Sequence, residues 1–320
     1  MKHFLTVIAL LSQCIMTAQT APTIVVAQPS LELRTIVGAE SCCELYMTKN
    51  GRGRSQQGMD ISGRYLFVLE DRGHCNVYDF KTKSPDPVGS FELDSSGPDN
   101  HCNCANFGIE RARYSSFPLL YVSNGKVGGK GEWACKVESI SFKKGVFSSI
   151  LAQTLILDAT GFEKSGFKPI FGVPSWLVDK EEKCLWVLSA KQRTKPSVTK
   201  KFSDNEYIVT KFRIPKLKEG LEVILTSDDV LDQVVFDFDV YVTQGGCAKN
   251  GKIYYSFGFG KTGTQTPSAL RVYDTKTGAI SVRYDLEGTV PEELEDIAIK
   301  GNRMYLNTNS SKIYTIPLNK

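Results

Sequence analysis

Residues 243–286 form a four-strand unit, and this unit constrains the fold of the whole chain. A short Gly-rich strand turns at 249–251 into an aromatic strand, and two further strands follow on either side of a turn at 274–278. The last strand alternates apolar and polar residues with the period of two that a half-buried strand requires. Because one such unit cannot bury both of its faces, it must stack on other units like it.

Weaker copies of the unit recur along the rest of the chain. With the unit above as the fourth, they give five blades. We place the strands of the first blade at 57–60, 64–70, 76–79 and 91–93, and those of the second at 101–108, 118–124, 134–142 and 150–158. The strands of the third blade lie at 172–179, 183–190, 207–215 and 221–226, and those of the fifth at 294–300, 303–308 and 312–318. The fifth blade therefore lacks one strand.

A closed ring removes exposed sheet edges, and closure here needs a strand from the other terminus. The N-terminal region 22–48 contains candidate strands. We predict an all-β fold, a five-bladed β-propeller whose last blade takes its outer strand from this region. A sixth blade within 226–242 is the structural alternative.

The N-terminus has the layout of a secretory signal. A basic start, Lys2-His3, precedes the apolar run 4–11 and then small and polar residues. The apolar run is too short to span a bilayer, and no later stretch is long and apolar enough to do so. We predict a signal peptide over 1–20 and a single propeller domain over 21–320 in a secreted or periplasmic protein.

The charge balance excludes one class of partner. The chain has 39 basic and 35 acidic residues, a formal net charge of +4, and neither a long basic block nor a nucleic-acid-binding motif. We expect no nucleic-acid partner, no transmembrane segment and a monomeric protein.

Eight cysteines remain once Cys14 is removed with the signal. An even number in an exported chain permits disulfides. Cys75 and Cys135 occupy matching places in the third strands of adjacent blades, so we predict that they form a bridge. The alternative is that most of the cysteines are small buried hydrophobic residues.

The sequence offers few metal ligands. The mature chain retains two histidines, His74 and His101, which excludes a His-rich metal centre. We predict no cofactor. One acidic stretch is a candidate for calcium through oxygen ligands, although it lacks EF-hand spacing and alternates like a strand. Its carboxylates are Asp228, Asp229, Asp232, Asp237 and Asp239.

Two inner strands begin with the same dipeptide, Gln57-Gly58 and Gln244-Gly245, and the chain also contains VYD and a terminal KIYTIPL. On these residues the region 57–318 resembles secreted propellers of the glutaminyl-peptide cyclotransferase, NHL and SMP-30-like group. The resemblance is one of blade pattern and implies the propeller fold. No motif here matches the catalytic acid of the cyclotransferases, so their chemistry is not carried over.

One face of the predicted propeller carries the long loops. In each blade the loop that enters the inner strand and the loop that joins the second and third strands open on this face, where function usually resides. Polar residues at the starts of the inner strands are expected to ring the mouth of the central channel. The candidate ligand-binding residues are Gln57, His101, Ser175, Gln244, Glu293 and Glu295, with Trp133 on a loop of the same face as a stacking residue.

Two classes of function remain. The absence of a catalytic motif favours a secreted propeller that binds a glycan, a peptide or another small ligand at the channel mouth. The alternative is a propeller enzyme, either a carbohydrate-active hydrolase or lyase or a glutaminyl cyclotransferase-like acyltransferase. Its catalytic residues would be His101 and Glu295, which can exchange protons near neutral pH if burial raises the pKa of the glutamate.

The export signal makes a direct prediction. Mature protein recovered from its native source should begin near residues 19–21 and carry no lipid, because Gln13 stands where a lipobox has a small residue. Intact-mass spectrometry measures both features. A mass that corresponds to a chain beginning with a diacylated Cys14 would show lipoprotein anchoring instead.

Overall fold

The computed structural model describes residues 24–26, 43–47, 55–82, 84–125, 133–191, 206–237, 240, 242–260, 266–310 and 312–318. Within these ranges the chain forms 22 β-strands and three 3-10 helices, Glu163–Ser165, Leu217–Glu219 and Ser227–Asp229. None of the described helices has the length and hydropathy needed to cross a membrane.

The strands form five sheets arranged as the blades of a propeller. Two strands precede the blades, β1 (Ile24–Val26) and β2 (Cys43–Met47). Blade 1 contains β3 (Gln56–Ser62), β4 (Tyr65–Glu70), β5 (His74–Asp79) and β6 (Gly89–Glu92). Blade 2 contains β7 (Cys104–Phe107), β8 (Leu120–Ser123), β9 (Ala134–Lys143) and β10 (Val146–Leu157).

The remaining strands complete the ring. Blade 3 contains β11 (Ser175–Asp179), β12 (Cys184–Lys191) and β13 (Glu206–Arg213), and the chain then passes through β14 (Glu222–Leu225) to β15 (Val230–Asp237). Blade 4 contains β16 (Thr243–Lys249), β17 (Lys252–Phe257), β18 (Ala269–Asp274) and β19 (Ala279–Asp285). Blade 5 contains β20 (Leu294–Lys300), β21 (Arg303–Thr308) and β22 (Lys312–Pro317).

The hairpin at the start of blade 4 shows why the sequence turns where it does. Asn250 and Gly251 join β16 to β17 with φ values of 53° and 73°. Two consecutive positive φ values match the twist of the flanking antiparallel strands, and Asn-Gly is the dipeptide that best tolerates them. The turn therefore fixes the pairing of Lys249 with Lys252.

The apolar core lies between the blades. Five clusters of buried side chains each fill the space between two consecutive sheets. Between blades 3 and 4, for example, Trp186 and Phe236 share one cluster with Tyr273. The fifth cluster joins Tyr305 of blade 5 to Met59 of blade 1, so face-to-face packing continues around the whole ring.

The predicted closure by an N-terminal strand is confirmed. Strand β2 pairs antiparallel with β22, with Cys43 opposite Thr315 and Met47 opposite Lys312. It supplies the fourth strand that blade 5 lacks. The N-terminal region also supplies β1, which pairs parallel with β15 at the outer edge of blade 3.

The predicted outer strand of blade 3 is wrong. The segment expected there, β14, pairs parallel with β10 of blade 2, with Glu222 opposite Thr154. The fourth strand of blade 3 is β15, which pairs antiparallel with β13. This also removes the alternative of a sixth blade within 226–242, because that segment supplies β15.

The predicted disulfide between Cys75 and Cys135 is also wrong. Both thiols are free and buried, as are the four other cysteines whose side chains the structure describes. Cys75 packs in the cluster between blades 1 and 2, whereas Cys135 packs in the cluster between blades 2 and 3. Matching places in adjacent blades therefore point into different interblade spaces. Burial raises the pKa of both thiols above its ordinary value.

The closing strand should be indispensable. Deleting residues 21–49 removes both β1 and β2 and leaves the outer edge of β22 unpaired, so we expect no soluble folded protein. Deleting residues 21–30 removes β1, at the outer rim of blade 3, but keeps β2, and should leave a ring that still melts cooperatively. Circular dichroism melting compares the two variants with the full mature chain. The closure would be shown to be dispensable if the longer deletion melts like the parent.

Candidate functional site

The inner strands meet around one buried carboxylate. Asp296, on β20 of blade 5, accepts hydrogen bonds at Oδ2 from the backbone N–H of Met59 at 2.7 Å and of Ala105 at 3.0 Å. Its Oδ1 accepts the N–H of Ile297 at 2.9 Å. Blades 1, 2 and 5 are thus joined at the axis, and the fully buried side chain helps to fill the centre of the ring.

Glycine closes the channel further. A Cβ atom on Gly245 would lie 2.5 Å from the carbonyl oxygen of Glu295 and 2.7 Å from that of Asn103. A Cβ atom on Gly58 would lie 2.6 Å from the carbonyl oxygen of Cys102. Only glycine permits such close backbone approach. This is the physical reason for the repeated Gln-Gly start, and it gives the central channel a closed floor.

A cavity of about 810 Å³ lies above this floor, on the face where the inner strands begin; we call it the cup. Its polar lining side chains are Asp71, His101, Asn103, Lys191, Thr243 and Gln244. A separate cavity of about 80 Å³ lies at the opposite ends of the inner strands and is lined in part by Asp60, Asn106 and Lys249. The cup is within the size range of small-molecule sites and lies on the face predicted from loop length.

His101 and Asp71 form a pair in the wall of the cup. Asp71 follows β4 in blade 1, and His101 precedes β7 in blade 2. His101 Nδ1 lies 2.9 Å from Asp71 Oδ1, and the two side chains are 40% and 33% exposed. Because the carboxylate can only accept, the neutral imidazole carries its proton on Nδ1 and keeps Nε2 as a hydrogen-bond acceptor. The pair supplies an oriented acceptor to the cup.

Gln244 is held by blade 5. Its Nε2 donates to Glu293 Oε1 at 2.8 Å and to the carbonyl oxygen of Gly258 at 3.2 Å. Asn309 Nδ2 donates to the other oxygen of Glu293 at 2.9 Å. Glu293 therefore positions the amide of Gln244 at the cup wall, but it is not itself a lining residue.

Glu295 faces the other neighbouring blade. It is 4% exposed and accepts hydrogen bonds from the side chains of Gln57 and Ser55. Burial, followed by repulsion from Glu293 and Asp296, raises its pKa well above the ordinary glutamate value. Neither Glu295 nor Gln57 lines the cup. Of the predicted catalytic pair, only His101 therefore lines the cup.

Ser175 and Trp133 support the cup from outside its lining. Ser175 Oγ lies 2.7 Å from the hydroxyl of Tyr255, which donates to the carbonyl oxygen of Gln244 at 2.6 Å. Ser175 is fully buried, whereas Tyr255 lines the cup. Trp133 Nε1 donates to the carbonyl oxygen of Gly172 at 2.8 Å and its indole packs against the core between blades 2 and 3.

Several lining residues were not singled out from the sequence. They are Asp71, Asn103, Phe171, Lys191 and Tyr255. Asp71 and Lys191 lie where a second strand ends, so they reach the same face as the starts of the inner strands. Because the ends of the second strands are equivalent in every blade, an alignment of the blades would have predicted both Asp71 and Lys191 as lining residues.

The acidic stretch that is the candidate for calcium is described only in part. Asp229 accepts a hydrogen bond from the N–H of Thr226 at 2.9 Å and caps the 3-10 helix at Ser227–Asp229. The Asp237 side chain and Asp239 lie outside the described residues. Among the side chains that the structure describes, no group of three or more His, Cys, Asp or Glu residues is placed to hold a metal.

No protein-family model matches the chain, and no curated protein matches it in sequence. Similar solved structures include a glutaminyl cyclase of Myxococcus xanthus, with 12% identity, a TM-score of 0.49 and coverage of 86% of this chain and 95% of that one. The computationally designed Ika8 protein has 9% identity and a TM-score of 0.38 and covers 86% and 99%. The Cps50 (Swd1) β-propeller domain of Myceliophteria thermophila has 10% identity and a TM-score of 0.37 and covers 82% and 84%. These resemblances concern the fold alone.

The buried Glu295 predicts a pH-dependent stability. Its raised pKa favours the neutral form in the folded state, so its contribution is complete below the ordinary glutamate pKa and is lost as the pH rises through the folded-state pKa. Glu295→Gln keeps an acceptor for Gln57 and adds an N–H near Gln57 Oε1, which has no partner among the described residues. The variant should therefore melt at a higher temperature than the parent in alkaline buffer and show a flatter pH profile.

Thermal melting across a series of buffers from acid to alkaline pH measures this effect. Glu163→Gln, at an exposed glutamate in a 3-10 helix, is the control for removal of one negative charge. Parallel pH profiles for the parent and Glu295→Gln would contradict the prediction.

Proposed function

We propose that this chain is an exported propeller that binds a glycan in the cup. The observation that carries the proposal is a closed-floored cavity of about 810 Å³ with hydrogen-bonding side chains from several blades. A rigid scaffold that converges polar groups on one concave site is the usual arrangement of a small-molecule site. The signal-like N-terminus supports export to the cell surface, periplasm or medium.

The side chains of the cup suit a ligand rich in hydroxyl groups. His101 offers an oriented acceptor because Asp71 holds its Nδ1. Asn103 adds an amide, and Gln244 adds an amide oxygen that can accept, since its Nε2 already donates to Glu293 and to the carbonyl of Gly258. A sugar hydroxyl likewise donates and accepts, so it can satisfy groups of either kind.

Aromatic surface completes the match with a sugar. Phe171 contributes a partly exposed ring to the lining of the cup, whereas Tyr255, which also lines it, is only 2% exposed. An aromatic ring can pack against the C–H face of a sugar while neighbouring polar groups bind its hydroxyls. A short peptide would also find hydrogen bonds in the cup, but the amide and imidazole groups beside the Phe171 ring favour the glycan.

One observation favours an enzyme as the second candidate. The 2.9 Å contact between His101 Nδ1 and Asp71 Oδ1 is the arrangement that orients a histidine for general base catalysis. In such an enzyme His101 Nε2 would accept a proton from a substrate hydroxyl or from water in the cup. Asp71 would stabilise the imidazolium that results.

His101→Ala should weaken glycan binding. We expect a loss of about tenfold in affinity, about 1.4 kcal/mol, because an oriented hydrogen bond is removed. The melting temperature should change little, since the side chain is 40% exposed. A glycan array on the mature protein identifies the ligand, and isothermal titration calorimetry measures the variants. His74→Gln, which alters the other histidine outside the cup, should bind like the parent.

A panel of glycosidase, lyase and acyltransferase substrates distinguishes the two candidates. Turnover that His101→Ala abolishes would support the enzyme, whereas binding without turnover supports the lectin-like function. A ligand that His101→Ala binds as tightly as the parent would overturn the assignment of the cup.

A further inference from the structure

We propose that the glycan is acidic, and that its carboxylate or sulfate group binds to the blade 3 wall of the cup through Lys191 and the backbone amides of Gly172 and Val173. This inference rests on the proposed function and names the class of glycan. The hydroxyl groups of the same ligand then bind to His101 and Gln244 at the other blades.

Lys191 brings a positive charge into the cup. It ends β12 and lines the cavity, and its side chain is 20% exposed. Its Nζ lies 3.5 Å from Glu206 Oε2, while Lys168 Nζ lies 3.2 Å from Glu206 Oε1. One carboxylate therefore serves two ammonium groups, and the three side chains together carry one net positive charge. An anionic ligand group at Lys191 balances that charge.

The backbone beside Lys191 supplies further donors. Gly172 has a φ of 60°, in the left-handed region, and both Gly172 and Val173 line the cup. Within the part of the chain that the structure describes, neither of their N–H groups donates to a protein acceptor. Successive amides around a left-handed residue form a concavity that binds anions. The residues that carry these two backbone N–H groups and the ammonium of Lys191 thus all line the cup from blade 3.

The carboxylate side chain that lines the cup lies on a different blade from Lys191. Asp71 belongs to blade 1 and is engaged by His101 at 2.9 Å and by Arg72 at 3.6 Å. Asp71 and Lys191 thus lie on different blades of the same cavity, with blade 2 between those blades in ring order. The lining thus divides into a cationic wall, which selects the acidic group, and an amide and imidazole wall, which binds hydroxyls.

The test compares acidic sugars with matched neutral ones by isothermal titration calorimetry. The probes are trigalacturonic acid and its methyl ester, which share the same rings, and a sulfated galactose trisaccharide with its unsulfated counterpart. At least one acidic probe should bind about tenfold more tightly than its neutral partner at low salt, and the preference should shrink as the ionic strength rises. The two pairs also show whether the cup prefers a carboxylate or a sulfate.

Variants of the blade 3 wall locate the acidic group. Lys191→Gln keeps much of the side-chain length but removes the charge, so it should abolish the preference for the acidic probe over its neutral partner. Lys191→Arg should retain the preference. Lys168→Ala is the matched control, because Lys168 shares Glu206 but does not line the cup.

The outcomes distinguish the acidic-glycan inference from the proposed glycan binding on which it rests. Equal binding of acidic and neutral probes, or a preference that survives in Lys191→Gln, would overturn the acidic-glycan inference and leave glycan binding standing. Failure of all four probes together with a blank glycan array would overturn both. A preference that Lys191→Gln removes and Lys168→Ala retains supports the inference.

Discussion

A single buried carboxylate joins three blades of the propeller at its axis. Asp296 accepts backbone N–H groups from Met59 and Ala105 as well as from its own strand. The inner strands of neighbouring blades do not pair as a sheet, so several of their inward backbone donors bond to side-chain acceptors instead. Other inner-strand side chains that accept a backbone N–H from the next blade are Asp60 for Phe107, Asn106 for Val178 and Asp179 for Gly251. Polar residues at the axis thus hold together sheets whose apolar faces pack farther out.

The sequence predicts the repeating part of this fold. The period of two and the turn residues are local signals, so the five blades and the closing strand were predictable from 243–286 and its copies. The position of β14 was not, because an apolar strand carries no local mark of the blade that it joins. The disulfide between Cys75 and Cys135 failed for a related reason. Their matching positions in the repeat did not reveal that the sheet of blade 2 lies between the two side chains.

The site was predictable where it follows from the repeat. Two inner strands reach the cup at their starts, through His101 and Gln244. Gln57 and Glu295 lie at the starts of two other inner strands, but their side chains contact each other between blades 5 and 1. The rest of the lining depends on three-dimensional convergence. Tyr255 reaches the cup from within a second strand, and no spacing along the chain links it to His101.

The closed floor limits the path by which a ligand can enter the cup. Gly245 and Asp296 block the axis, so nothing can thread from one face of the ring to the other. A molecule held in the cup must therefore enter and leave through the same mouth, so an extended polymer cannot be bound by passage through the ring.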